Sequence, residues 1–364
     1  MARRRSRSGC CGAAEIDMMV TAGEKKRREA SSPAGRQGLR LVRYEELPDY
    51  LRDNEYILDY YRSEWPLWDA LLSAFSWHNE TLNVWTHLGG FLLFLALTVA
   101  SSLDAFDAGA LSIPGFSRSG NATLARIFLG NGLADSAVGT SHTVKGDAAL
   151  LAEWVVPRWP RLVFMVGSMV CLASSTVSHL LACHSRRFNY FFWSLDYAGI
   201  SFMIVTSFFP PIYYAFFCQP YSRFLYLSTI SLLGLLSIAA LLSPALNAPH
   251  LRKLRACLFL AMGFSGVVPA AHAVALNWEH RACHVAVALE LAMAAAYASG
   301  AWVYVNRVPE RWRPGAFDLA GHSHQIFHVF VVVGALVHYA AVAVLLDWRD
   351  GMPCTTSSAP TFYL

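Results

Sequence analysis

Long runs without a formal charge dominate the chain. Seven stretches lack Asp, Glu, Lys and Arg: 81–103, 162–185, 197–222, 224–251, 256–278, 282–306 (with Glu290 inside it) and 319–346. Each reaches the roughly 20 residues that a helix needs to cross the hydrocarbon of a bilayer. Barrel strands would be about 10 residues long and would alternate in polarity. The pattern therefore predicts an all-α membrane protein, a seven-transmembrane helix bundle that is integral and multi-pass. Pro210 and Pro211 fall inside the third run, where they are expected to kink the helix or end it early.

The polar connections set an orientation. Arg186 and Arg187, then Arg252, Lys253 and Arg255, then Arg307, Arg311 and Arg313 all fall on the side of the N-terminus if there are seven spans. The opposite connections are poorer in Lys and Arg, so the positive-inside rule places the N-terminus in the cytosol and the C-terminus outside. The resulting organisation is a basic disordered cytosolic tail over 1–39 and a cytosolic juxtamembrane segment over 40–80. The transmembrane domain follows over 81–348, with a long outer loop at 103–160, and a short outer tail closes the chain over 349–364. The juxtamembrane segment is polar and aromatic, with Tyr44, Tyr50, Tyr56, Trp65, Trp68 and Trp77. It reads equally as a surface helix on the membrane or as packing beneath the bundle.

Composition agrees with this picture. Hydrophobic residues make up 55% of the 364 positions and charged residues 15%, against about 25% charged in an ordinary soluble domain. That excludes a disordered chain, a collagen and a small disulfide scaffold, and argues against a soluble enzyme. The basic residues near the N-terminus, including Arg3–Arg5 and Lys25–Arg28, read beside such a hydrophobic body as a tail facing anionic lipid rather than nucleic acid. No apolar segment near the N-terminus has the form of a cleavable signal peptide. The eight cysteines contain no CxxC pair, so zinc fingers and thioredoxin-like chemistry are unsupported. Whether Cys218, Cys283 and Cys354, all placed outside, include a disulfide is left open. Asn121-Ala122-Thr123 forms a sequon on the outer loop. Asn79-Glu80-Thr81 forms another, but on the cytosolic side, where it stays unmodified.

Polar groups inside a membrane are costly and are functional candidates by default. His324 and His328 lie four residues apart, on one helix face, as do Ser175 and His179. Asp196 opens the third charge-free run; its bland reading is an interfacial acid paired with Arg186 or Arg187. The second span runs inward while the third and seventh run outward. His179, Asp196, His324 and His328 therefore all fall roughly 8–15 Å from the cytosolic boundary at about 1.5 Å rise per residue. Three histidines with an open fourth position are the pattern of catalytic zinc, and a nearby carboxylate can orient or deprotonate a water held by the metal. Glu290 and His272, nearer the outer side, read as a structural pair between the sixth and fifth helices. His322 reads as interfacial, and His338 lies too far along the seventh helix to join the site.

Three separated blocks, His78-Asn79-Glu80-Thr81-Leu82-Asn83-Val84-Trp85-Thr86-His87, Leu195-Asp196-Tyr197-Ala198-Gly199-Ile200 and Ser323-His324-Gln325-Ile326-Phe327-His328, closely resemble the progestin and adipoQ receptor family. The chain is most similar to its plant branch of heptahelical transmembrane proteins, and Pro309-Glu310-Arg311 fits the segment before the last helix. The resemblance implies a zinc ion on His179, His324 and His328, with Asp196 binding or orienting the zinc water and Ser175 beside it. It implies hydrolysis of a lipid amide of the ceramide type, with Asp196 and Ser175 catalytic, coupled to hormone or stress signalling. The partners implied are a membrane lipid as substrate or ligand and hormone or signalling partners. The alternative is a non-enzymatic receptor or scaffold in which the zinc is structural.

Overall fold

A computed structural model describes residues 39–110, 156–243, 249–352 and 354. Among these residues the α-helices are α1 (Leu67–Leu72), α2 (Thr81–Ala110), α3 (Trp159–Leu181), α4 (Arg186–Ala215), α5 (Pro220–Leu241), α6 (Arg252–Phe264), α7 (Val267–Asn277), α8 (Arg281–Asn306) and α9 (Ser323–Asp350). Seven spans are long and apolar enough to cross a membrane: α2, α3, α4, α5, α6 with α7, α8 and α9. No strand forms among the described residues beyond an isolated bridge between Val42 and Tyr61. Helices are the expected solution because a spanning segment must satisfy its own backbone polar groups. Pro160 and Pro220 sit in the first turns of α3 and α5, where the missing N–H has no intrahelical partner to lose. The expected tail over 1–39 lies almost wholly outside the described residues, as do most of the loop over 103–160, with its Asn121 sequon, and most of 349–364.

Three boundaries differ from the charge-free runs. The third helix starts at Arg186 rather than 197, because Arg186, Arg187 and Asp196 break a charge scan but not a helix. It also continues through Pro210 and Pro211 to Ala215, so neither proline ends it there. The fifth span is interrupted at Ser265–Gly266, between α6 and α7.

The centre of the bundle is α9. Of its apolar window 67% is buried within the protein, against 11% for α6–α7 and 11% for α8, and it packs on α8, α2 and α4. Close contact of α3 with α4 depends on glycine. A Cβ on Gly167 would collide with Thr206, and one on Gly199 with Ser174, the small-residue device by which membrane helices approach.

Both ends of the bundle are tied. At the end away from the juxtamembrane segment, Arg349 of α9 is buried, and its Nε donates to Tyr214 O (2.5 Å) and its Nη2 to Ala215 O (3.0 Å), the last carbonyls of α4. A disulfide joins Cys218 to Cys354 with their Cα atoms 5.6 Å apart, while Cys283 is free and buried. At the other end, Leu47, Ile57 and Tyr61 form a small core. Arg62 is buried against the C-terminus of α3, where Nη2 donates to His179 O (2.5 Å) and Nη1 to Leu180 O (3.0 Å) and Ser73 Oγ (2.6 Å). A cation there complements the exposed carbonyls and the helix dipole. The same segment leaves Trp68, Phe75 and Trp77 exposed, an aromatic fringe suited to headgroup depth.

Candidate metal centre

The start of α9 is held by a buried carboxylate. Glu310 Oε2 accepts the Ser323 backbone N–H (2.7 Å), Oε1 accepts the Ser323 hydroxyl, and Asn54 Nδ2 donates to Oε1 at 3.1 Å. This caps orphan donors of the first turn and fixes the turn that carries His324. His322, at the cap position, is buried, with Nε2 3.1 Å from Asn79 O.

The seventh-helix pair and His179 of α3 meet. The imidazole centroids lie 5.0 Å (His179–His324), 4.8 Å (His179–His328) and 4.8 Å (His324–His328) apart. One nitrogen from each falls within 4.8 Å of the others, and this is the one group of its kind among the described residues. Two of the rings have one nitrogen already committed. His179 Nδ1 lies 2.7 Å from Glu80 Oε2, and His328 Nδ1 lies 3.2 Å from Asn83 O. Each acceptor calls for an N–H at Nδ1, which assigns the lone pair to Nε2, the tautomer that a metal takes. His179 Nε2 and His324 Nε2 are buried with no hydrogen-bond partner. Unpaired buried acceptors are expensive, and a cation held among them would supply what they lack. Donor set, tautomers and orphaned nitrogens all fit a metal of the zinc class.

The block around residues 78–87 is the support for this cluster. His78 N donates to Thr81 Oγ1 (2.9 Å) at the start of α2. Glu80 holds His179 and is itself held by Asn83 Nδ2 (2.5 Å). Thr86 Oγ1 lies 3.3 Å from His328 Nδ1, and His87 stacks on the His328 ring at 3.5 Å with both its nitrogens unpaired. Sequence reading gives Glu80 no role in the site. It sits one residue outside a charge-free run, within a triplet that reads as a sequon, and Asn79 is in fact buried. The signal was the placement of an acid at the same depth as three histidines. Glu80→Gln keeps the shape but accepts from His179 more weakly. It is expected to lower zinc affinity about 10–100-fold, read by competition with a chelator, while the melting temperature of the metal-free protein changes little. An unchanged affinity would remove Glu80 from the site.

Asp196 is buried on α4 and interacts electrostatically with His179. No ion pair joins it to Arg186 or Arg187, so the expected pairing is not formed. Ser175 lies beside it, with a buried hydroxyl that makes no hydrogen bond of ordinary geometry. The expected pairing of Glu290 with His272 is not formed. Glu290 pairs with His338 across α8 and α9 at 2.9 Å, and His272 Nδ1 lies 2.9 Å from Tyr226 Oη. Helix rotation, which spacing along one helix cannot reveal, decides both.

Two cavities meet at the cluster. One, of about 1200 Å³, is the more polar of the two and opens among the juxtamembrane segment, Glu80, His179 and Arg186. The other, of about 400 Å³, is mostly apolar and holds Ser175, Asp196 and His328 in its wall. His324, Tyr197, Tyr304, Arg252 and Arg255 line both.

Comparison with known proteins agrees with this geometry. The profile of the haemolysin-III related family matches residues 75–339, which include every residue of the cluster. The chain belongs to the haemolysin-III related family. Within that family it is 56% identical to heptahelical transmembrane protein 3 of Arabidopsis thaliana over 321 residues, 86% of this chain and 90% of that protein. It is 51% identical to heptahelical transmembrane protein ADIPOR1 of Oryza sativa subsp. japonica over 332 residues, 88% of each. Further away, it is 33% identical to the adiponectin receptor protein of Drosophila melanogaster over 312 residues, 85% of this chain and 60% of that protein. The chain is thus an integral, multi-pass member of the haemolysin-III related family, of the adiponectin-receptor-like plant type.

Proposed function

We propose that the protein is a zinc-dependent intramembrane hydrolase of lipid amides of the ceramide type, coupled to hormone or stress signalling. The observation that carries this reading is the buried His179–His324–His328 cluster, two of whose Nε2 atoms are orphaned, at the meeting point of a polar and an apolar cavity. The three histidines would hold the ion. When bound, zinc supplies Lewis acidity toward a carbonyl oxygen and lowers the pKa of water.

The chain's own residues do the rest. Asp196 takes a proton from the attacking water and returns it to the leaving nitrogen, so that the C–N bond is exchanged for a C–O bond and an acid and an amine depart. The Ser175 hydroxyl, which lies beside Asp196, donates to the developing oxyanion. The apolar cavity takes the acyl chain, and the polar cavity takes the head of the lipid and supplies water. The basic residues around the polar cavity support a cytosolic placement of that end.

The receptor reading rests on the name of the Drosophila relative. It makes the zinc structural and predicts that signalling survives substitution of Asp196. The experiment for the site itself is elemental analysis of detergent-purified protein, wild type beside His324→Ala. About one zinc per chain in the wild type, lost in the variant, is the expected result. A well-folded wild type without zinc would overturn the hydrolase.

A further inference from the structure

The apolar cavity has a second polar station that the hydrolysis does not use. Glu290 of α8 and His338 of α9 both line it. Glu290 Oε2 takes the His338 Nδ1–H at 3.0 Å. Oε1 faces the same nitrogen at 2.9 Å, while His338 Nε2 is buried without a hydrogen bond. The His338 side chain is 2% exposed and that of Glu290 26%. The edge of the His338 ring packs on Phe164, centroids 4.5 Å apart, which supplies no hydrogen-bonding group. Burying a linked pair while leaving a ring nitrogen unused is costly. A purely structural clasp between α8 and α9 would be made by the Nδ1 contact alone.

The position of the pair along α9 gives its unused nitrogen a use. His338 lies ten residues beyond His328 on the same helix, about 15 Å at 1.5 Å per residue. Both histidines open on the same cavity. An extended chain of about twelve carbons covers that distance, at the spacing set by C–C bonds of about 1.5 Å. An acyl chain whose carboxyl carbon sits at the His179–His324–His328 cluster therefore passes the pair near its twelfth carbon. A methylene there leaves His338 Nε2 unpaired. A keto or ether oxygen, which only accepts, meets a ring nitrogen that also only accepts while Nδ1 carries the proton. A hydroxyl can donate, so it satisfies His338 Nε2.

We infer that the Glu290–His338 pair is a subsite for a mid-chain hydroxyl group, and that the cavity selects long-chain lipids hydroxylated about twelve carbons from the carbonyl. The inference rests on the proposal that the apolar cavity holds the acyl chain, but it is tested by binding and not by turnover. The probes are stearic acid, 2-hydroxystearic acid and 12-hydroxystearic acid. Each displaces a fluorescent fatty acid from the purified full-length protein at fixed detergent concentration.

The expected result is that 12-hydroxystearic acid binds about tenfold more tightly than stearic acid, while 2-hydroxystearic acid gains much less. In His338→Leu the tenfold preference falls to about one and stearic acid itself binds at least as tightly as before. Glu290→Gln reduces the preference without reversing it. Equal affinities of stearic and 12-hydroxystearic acid for the wild type would overturn the subsite whatever the variants do, and would leave the hydrolase reading untouched. A preference that persists in both variants would overturn it too, by placing the hydroxyl elsewhere. No displacement by any of the three acids would overturn the acyl-chain cavity and the subsite together, whereas the zinc analysis would still stand.

Discussion

Asp196→Asn is expected to keep its zinc and lose its chemistry. Turnover of a ceramide-type substrate should fall about 10²–10⁴-fold, the usual worth of a positioned general base, with zinc content equal to that of the wild type. The expectation follows from three features. Asp196 is buried, has no arginine partner, and shares a wall with Ser175 and His328. A carboxylate held in this way beside His179 but outside the histidine cluster is free to move a proton, and an amide in its place cannot. Loss of zinc in Asp196→Asn would instead make the carboxylate a ligand. Full activity in the presence of zinc would remove it from the reaction and favour the receptor reading. Ser175→Ala should cost less than Asp196→Asn, since one donor to an oxyanion is lost and no proton carrier.

The second large effect lies outside the membrane-spanning helices. Arg62→Met should lower stability by about 2–6 kcal/mol, since the buried carbonyl of His179 loses the Arg62 donor and that of Leu180 keeps only the Cys183 thiol, at about 1–3 kcal/mol for each group so weakened. The measurement is the melting temperature in detergent, paired with zinc content. Because one of those carbonyls belongs to His179 itself, zinc occupancy should fall along with stability. Arg62→Lys should recover only part of both, because a point charge replaces a planar fork that reaches several acceptors at once. An unchanged melting temperature would show that the juxtamembrane segment adds nothing to the bundle.

What could be read from the sequence follows the physics of each signal. The seven spans were legible because the membrane imposes length and apolarity on every one of them. The three histidines were legible because topology brings distant residues to one depth. The start of α4 is not legible because Arg186 and Arg187 belong to the helix but not to its apolar run. Glu80 is hidden because a charge at the edge of a span has an ordinary interfacial explanation, and only the 2.7 Å contact with His179 removes it. The pairing of Glu290 with His338 rather than His272 was beyond reach for a related reason. Which faces of α8 and α9 meet is decided by how the helices rotate about their axes, and the nearly uniform apolarity of both helices gives no phase from which to read it.

The arginine and disulfide at the far end bear on how the molecule can change shape. Arg349 and the Cys218–Cys354 bond fasten α9, and the chain just beyond it, to the end of α4, while Glu310 pins the opposite end of α9. Asp196 and the seventh-helix histidines thus ride on two rails that cannot slide past each other without breaking buried hydrogen bonds. The cavity wall built from α6 and α7 is fastened more lightly, by the His272–Tyr226 hydrogen bond, a long Asn277–Ala215 contact and the Arg255 guanidinium over the Tyr197 ring. It is little buried and broken at Ser265–Gly266. Among the devices by which helical proteins switch, a shear of α4 against α9 is therefore the most costly and a swing of α6–α7 the least.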